Sequence, residues 1–511
     1  MSSAFHAAYG RAVTRILDEL KDPSDSIHDC GAPSLQLLSS RVPARLNDLI
    51  HLAHDKLHAF PFKDVPTCWR RLYTDASILK AGEERDQGDE DPVATLDLAI
   101  ILTGAPKRRE LIEELLAAID EDQQQQQQPW DQDDAHPSKR RKLTTSMGLG
   151  PGPETLQPGS SSVPKINRPI ATVPSPSSLS LSAFTSLTTP LIIKDAVTDW
   201  PAFERWKCPA YLLGKTLNGR RLVPVEIGRS YTDDGWGQKI VPFSRFLEDY
   251  VLANSVVGIG GGYGVKGRQT GAVTGEGITK QVGYLAQHDL FAQIPSLKND
   301  VLIPDYCYTT GTPNPPPSVS PSLSIDGFRK DDDDDEESAP GDEGPYLNAW
   351  FGPAGTVSPL HTDPYRNVFC QVVGRKYVRL YAPDETSKLY PRGVEEGGVD
   401  MGNTSMVDVE EEMERDGLGE PISQWDGADV NEKQQQQHSK TTTKLTSTNQ
   451  DKPVESTKFP KFKDARYVEG ILEAGESLYI PVSYLNSYQI HEPGVSPCSP
   501  VSIEPSNRST N

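Results

Sequence analysis

Apolar residues recur at three- and four-residue spacing in AFHAAYGRAVTRILDEL, SLQLLSSRVPARLNDLIHLAHDKLHAF, TCWRRLYTDASILKAG, ATLDLAIILTG and RRELIEELLAAIDE. That period marks one face of an α-helix, and it predicts a helical domain over residues 1–122. Over 123–165 the period stops and the chain turns to Gln, Ser, Gly, Pro and charge. Such a composition buries too little apolar area to offset chain entropy, so a disordered linker is expected. Short β-branched runs then take over: PLIIKDAV, RRLVPVEIG, KIVPFSRFLEDYV, LNAWFGP, FCQVVGRKYVRLYAP and ESLYIPV, each bounded by Gly, Pro or Asp. They predict an all-β core with a few helices over 166–490, and hence an α+β chain. Two stretches interrupt it, 313–343 (proline-rich, then acidic) and 411–457 (charged, with glutamines at 434–437), and both read as surface inserts. Residues 491–511 are turn-rich and read as an irregular tail.

Charge changes the picture of partners. With 72 acidic against 51 basic residues the net charge is -21, which argues against binding phosphate backbones, so no direct nucleic-acid partner is expected. The local exception is Lys139-Arg-Arg-Lys142, within PSKRRKL. It reads either as a nuclear import signal or as a solvated run in the linker. The nucleus is the expected location, with the cytoplasm second. Cysteines 30, 68, 208, 307, 370 and 498 form no close pairs, so neither a zinc framework nor a disulfide scaffold is suggested. The N-terminus has no long apolar run and no 18 consecutive residues are apolar, so no membrane partner is expected.

Two local patterns carry little chemistry. His51, His54 and His58 share a helix face, but without a carboxylate or thiol nearby a solvated face is the better reading than a metal site. The G-x-G-x-x-G at Gly262 lies outside a strand–turn–helix context and reads as a loop.

The central signal is SPLHTDPYRN, residues 358–367. In an extended chain, residues i and i+2 share a face, so His361 and Asp363 can offer one nitrogen and one oxygen ligand to a single ion. One more histidine would complete the 2-His-1-carboxylate triad that leaves three positions open on Fe(II). An exposed His with a turn-forming Asp before Pro364 would look the same. Beyond a buried-looking turn, Lys376 starts what reads as the neighbouring strand. A buried ammonium needs an anionic partner, such as the distal carboxylate of a dicarboxylic acid. A surface lysine in a β-turn is the alternative.

The run LNAWFGPAGTVSPLHTDPYRNVFCQVVGRKYVRLYAP resembles the catalytic core of the JmjC oxygenases. The resemblance extends to GYLAQHDLFAQIPSLKNDVLIPDYC, TTPLIIKDAVTDWPAF, VPVEIGRSYTDDGWGQ, NTSMVDVE and FPKF. It implies a cupin-like double-stranded β-helix, with Fe(II) as cofactor and 2-oxoglutarate and O2 as co-substrates. On that resemblance His361 and Asp363 are iron ligands, Lys376 and Asn367 hold the distal end of 2-oxoglutarate, and Tyr284 donates its hydroxyl there. Gln287, Trp350 and Ser358 would line the pocket, with no catalytic residue beyond the metal site. The implied activity is hydroxylation of a protein side chain, of the arginine type. If the carbon is an N-methyl, loss of formaldehyde makes it histone lysine demethylation. The implied partner is a basic histone, ribosomal or chromatin protein, steered by the acidic surface.

One departure stands out. The family's I-P-x-x-W/Y-W-H strand is here Ile480-Pro481-Val-Ser-Tyr484-Leu485-Asn486, with asparagine at the third-ligand position. His491 lies at an odd offset, so an unbroken strand would turn it away from the metal, and only a bulge would change that parity. The divergence starts at Val482-Ser483, a dipeptide that the intron-donor hexamer GTAAGT would encode, so the last 30 or so residues read as a retained intron or a mispredicted exon. Three readings follow: an active oxygenase, a pseudoenzyme that binds partners, or a nuclear scaffold.

Overall fold

The computed structural model describes residues 3–87, 91–127, 165–252 (without 229, 231, 233 and 234), 282–309, 345–415 (without 364 and 396–399), 458–490 and 500–504. The chain divides into two compact units. The first contains helices α1 (Ser3–Glu19), α2 (Ala32–Ser40), α3 (Pro43–Leu57), α4 (Thr67–Gln87), α5 (Pro92–Thr103) and α6 (Arg109–Gln127). Their ends follow local chemistry. On α5 the Asp91 carboxylate accepts from the Val93 N–H at 3.0 Å, Pro92 opens the first turn and Gly104, at φ 77°, ends the helix. The apolar stripes meet in one core that includes Ile16, Leu46, Leu72, Leu96, Ile112 and Ile119. Two fully buried guanidiniums are neutralised there: Arg108 reaches Asp75 at 2.6 Å and Glu19 at 2.7 Å, and Arg71 reaches Glu19 at 2.9 Å.

Helix α6 continues to Gln127, into the stretch expected to be linker from 123. Glutamine is a good helix former, so the helix runs on past its last core contact. The remaining linker, with Lys139–Lys142, the Gly262 loop and the 313–343 insert lie outside the described residues. Of the second insert, residues up to 415 belong to the helix Val409–Arg415, whose first turn carries Glu410, Glu411 and Glu412 against its N-terminal dipole. Among the described residues no helix is long and apolar enough to cross a membrane.

The second unit holds strands β1 (Ala171–Val173), β2 (Leu191–Ile193), β3 (Leu222–Ile227), β4 (Gly237–Pro242), β5 (Gly283–His288), β6 (Tyr346–Phe351), β7 (Val357–Thr362), β8 (Asn367–Gln371), β9 (Lys376–Tyr381), β10 (Tyr467–Leu472), β11 (Ser477–Ile480), β12 (Leu485–Ile490) and β13 (Pro500–Glu504). They form a nine-stranded sheet, ordered β1-β2-β11-β8-β13-β6-β5-β3-β4, and a four-stranded sheet, ordered β10-β9-β12-β7. Ile192, Phe369, Leu478 and Ile480 of the first pack against Val378, Leu380 and Leu472 of the second. This is the double-stranded β-helix expected, with its core between the sheets.

Two expectations change. Strand β9 does not neighbour β8: the buried turn at Val372 and Val373, with Gly374 at φ 78°, carries the chain from one sheet to the other. Lys376 therefore faces β8 across the barrel. The tail is not irregular throughout, because β13 pairs with both β6 and β8. The alternation Val501-Ser-Ile503-Glu suits a strand, and its backbone satisfies ladder groups on both neighbours.

Strand β9 is buried along its whole length. Its inward residues Lys376, Val378 and Leu380 alternate with Tyr377, Arg379 and Tyr381. On the outer side Tyr377 and Tyr381 pack with Leu389, Val407 and Phe462. There the Tyr377 hydroxyl donates to Glu469 at 2.5 Å, Arg379 reaches Glu469 at 3.1 Å, and Glu469 also accepts the Asn167 N–H at 2.7 Å. This buried carboxylate ties Asn167 and Arg168 to β10 on the outer side of β9, away from the inner face.

Candidate metal centre and cosubstrate pocket

His361 is the penultimate residue of β7, a strand held on both edges. On one side Thr362 donates its N–H to the Asn403 carbonyl at 2.9 Å, Ser405 donates to the Leu360 carbonyl at 2.8 Å, and His361 bridges Thr404. On the other side β7 pairs with β12, Asn486 opposite His361 and Tyr488 opposite Ser358. Three steps on β7 against two on β12 place a bulge at Pro359-Leu360, where proline has no N–H to lose from the ladder. The bulge turns the Pro359 carbonyl toward its neighbour's ring, and the His361 Nδ1 lies 2.7 Å from it. A carbonyl only accepts, so Nδ1 is the donor in this pair, and Nε2 is the ring nitrogen on the Asp363 side.

That Nε2 lies 3.6 Å from Asp363 Oδ1, so the i and i+2 side chains converge as their spacing predicts. The third position is equally definite. Asn486 pairs with His361 on β7 and with Leu380 on β9, and Leu380 belongs to the core between the sheets, so Asn486 is on the pocket face. It is 1% exposed, and its Nδ2 is 3.5 Å from Asp363 Oδ2 and 3.4 Å from the Tyr484 carbonyl. Its Oδ1 is buried without a hydrogen-bond partner. The register between β12 and β9 is unbroken from Leu485 to Ile490, so the bulge lies on β7 and not where it would change the parity of His491. His491 itself lies outside the described residues.

His361 and Asp363 could supply two donors of an iron triad, and the residue opposite His361 on β12 is the Asn486 amide, not an imidazole. Among the described residues no three His, Cys, Asp or Glu side chains gather as a metal site. The donor set therefore does not fit Fe(II) in its 2-His-1-carboxylate form.

Of the residues expected to hold the cosubstrate, Lys376 and Trp350 both lie against Phe369. Lys376 is 1% exposed, with Nζ 4.6 Å from the centre of the Phe369 ring. The Phe369 ring lies 6.1 Å from Trp350, and Trp350 packs against Tyr284 and Ala286. Asn367, opposite Ile480 on β11, keeps its Oδ1 buried and unpaired. Tyr284 is seated by Gly352, where an added Cβ would lie 2.5 Å from its ring. Ser358 is half-buried, and its carbonyl accepts from the Ser487 hydroxyl at 3.1 Å. Gln287 sits beside the bulge on β5, where three steps from Leu285 to His288 oppose two on β6; its side chain lies outside the described residues.

Sequence reasoning missed Glu226. It is buried on β3 directly opposite Tyr284, and the Trp236 indole N–H donates to it. Burial pushes its carboxyl up to about 7, the Trp236 hydrogen bond opposing the shift. An acid at an inward position of the apolar run LVPVEI was the available signal.

The cupin-like domain family matches residues 176–493. The chain belongs to that family and, within it, to the JmjC-domain oxygenases, which depend on 2-oxoglutarate. It is similar to lysine-specific demethylase 8 of Danio rerio, 29% identical over 455 residues, covering 86% of this chain and 82% of that protein. JmjC domain-containing protein D of Dictyostelium discoideum is 33% identical over 58% of this chain and 47% of its own length. Jumonji C domain-containing protein 5 of Drosophila melanogaster is 35% identical over 43% of this chain and 42% of its own length.

Proposed function

We propose that the inner face of the barrel holds 2-oxoglutarate, and that the chain acts as a hydroxylase on the side chain of a basic protein, arginine before methyl-lysine. The Lys376 ammonium, the Asn367 amide and the Tyr284 hydroxyl together suit the distal carboxylate, a charge matched by a cation and neutral donors. His361 and Asp363 then stand at the reacting end. What carries the substrate reading is Glu226, a buried acid on the strand next to Tyr284. A guanidinium offers a carboxylate two parallel N–H bonds and a flat face to the nearby aromatic rings, whereas a methylammonium offers fewer donors. The acidic chain as a whole steers a histone, ribosomal or other chromatin protein toward the pocket, and Lys139–Lys142 directs the protein to the nucleus.

Basic peptides incubated with the protein, 2-oxoglutarate and Fe(II), in parallel with Asn486→His, test the reading by mass spectrometry. A gain of about 16 Da on arginine is expected, and a loss of about 14 Da on methyl-lysine instead would make the chain a demethylase. If arginine peptides bind equally to the protein and to Glu226→Gln, the arginine assignment fails. Asn486 favours a second reading, a barrel that binds both molecules without turnover. Peptide binding with no mass change, together with a mass gain in Asn486→His, would establish it.

A further inference from the structure

We infer that Cys30 and Cys68 form a dithiol oxidation site, which a peroxide converts to a disulfide within the helical unit. The two stand 38 residues apart in sequence, and the fold brings them together. Cys30 closes the short 3-10 helix Ser26–Cys30, and Cys68 lies in the first turn of α4. The Cys30 Sγ is 3.2 Å from the Cys68 carbonyl oxygen, and the two thiols hydrogen-bond to one another, Cys30 donating. Both are free thiols. Cys30 is 8% exposed and Cys68 4%, which favours a water-sized oxidant over a bulky one.

Their places in the helices assign different parts to the two sulfurs. The first turn of a helix offers N–H groups and the positive end of its dipole, which stabilise a thiolate. Cys68 is held below the ordinary thiol range there, by the hydrogen bond from Cys30 first, against burial, with the Trp69 N–H adding to it. Cys30 is pushed up, by giving that bond and by burial. Cys68 is therefore the attacking sulfur and Cys30 the resolving one. The Cys68 thiolate attacks one oxygen of the peroxide and breaks the O–O bond. The other oxygen leaves as hydroxide and takes up a proton to become water, and Cys68 becomes a sulfenic acid. The Cys30 sulfur then attacks the Cys68 sulfur, its proton going to the hydroxyl that leaves as a second water. Two thiols are oxidised and one peroxide is reduced. The new bond ties Ser26–Cys30 to α4 and closes a loop that holds α2 and α3. Cys307 and Cys370 of the second unit provide the contrast. Burial pushes both thiols up, Cys370 to about 12, so both should stay reduced.

Hydrogen peroxide added to the full-length protein in metal-free buffer, followed by alkylation and non-reducing peptide mapping, tests this. The expected product is a peptide pair joined from Cys30 to Cys68, about 2 Da lighter than its separate halves, from which dithiothreitol restores both thiols. Cys30→Ser should stop at the Cys68 sulfenic acid, captured by dimedone. In Cys68→Ser the Cys30 thiol should disappear at least roughly tenfold more slowly than in the wild-type chain. Circular dichroism melting shows whether each variant is folded, and the wild-type map depends on neither. Both thiols still open to alkylation after a peroxide dose that oxidises them in the urea-unfolded chain would overturn the inference. So would a cross-link from either cysteine to a different partner, or a Cys68 sulfonic acid beside an untouched Cys30.

Discussion

Lys376 and Glu226 are the two buried charged side chains on which the proposed function rests, and each makes a measurable demand. Lys376→Met keeps the stem of the side chain and removes the charge, so it should weaken 2-oxoglutarate binding by roughly 10–100-fold in calorimetry, the worth of a charge-assisted hydrogen bond. Glu226 is ordinarily ionised above 4.5 but is held up to about 7 here. Between those values the folded chain keeps a proton that the unfolded chain releases, so stability falls as pH rises from about 4.5 to about 7 and levels above that. The fall amounts to at most about 3 kcal/mol, and Glu226→Gln should flatten it in urea titrations across that pH range. Binding of a cationic side chain runs the other way and should strengthen as pH rises through about 7. His361 and Asp363 were legible from their spacing, and Asn486 from its distance past Pro481. Glu226 was not, because only the β3–β5 pairing puts it opposite Tyr284.

Among the elements, two bulges set the site. The one at Pro359-Leu360 fixes the ring of His361, and the one on β5 flanks Gln287. Neither is written in hydrophobic alternation, since a bulge is defined only by the residues opposite it on another strand. The outer network shows the complementary case, a buried charge that looks catalytic in composition and proves structural in position. Removing its acid would leave Arg379, 2% exposed, without a matching charge. Glu469→Ala should therefore cost roughly 3–5 kcal/mol, seen as a lower midpoint in scanning calorimetry. The affinity for 2-oxoglutarate, measured well below that midpoint, should hardly change, because Glu469 points away from the pocket. A variant with unchanged stability and lost cosubstrate binding would refute this division of roles.

For the whole molecule, the basic cluster and the divergence from Val482 make their own predictions. A fluorescent fusion carrying alanine at 139–142 should leave the nucleus for the cytoplasm if Lys139–Lys142 is the import signal; unchanged nuclear signal would exclude it. Transcripts sequenced across codon 482 should include a form spliced there, continuing into a strand with histidine at the position of Asn486. If all are colinear with the genome to codon 511, the intron reading fails. By itself the sequence determined the helical and β halves and the shared face of His361 and Asp363, because periodicity and i, i+2 spacing are local properties of the backbone. Tertiary structure decided the rest: that β9 faces β8 from the opposite sheet, that β13 closes the gap between β6 and β8, that Glu226 adjoins Tyr284, and that Asn486 lies opposite His361 with its Oδ1 buried and unpaired. Each depends on which strand lies beside which, and pairing between distant segments is set by the packing of the whole barrel, which no window of sequence contains.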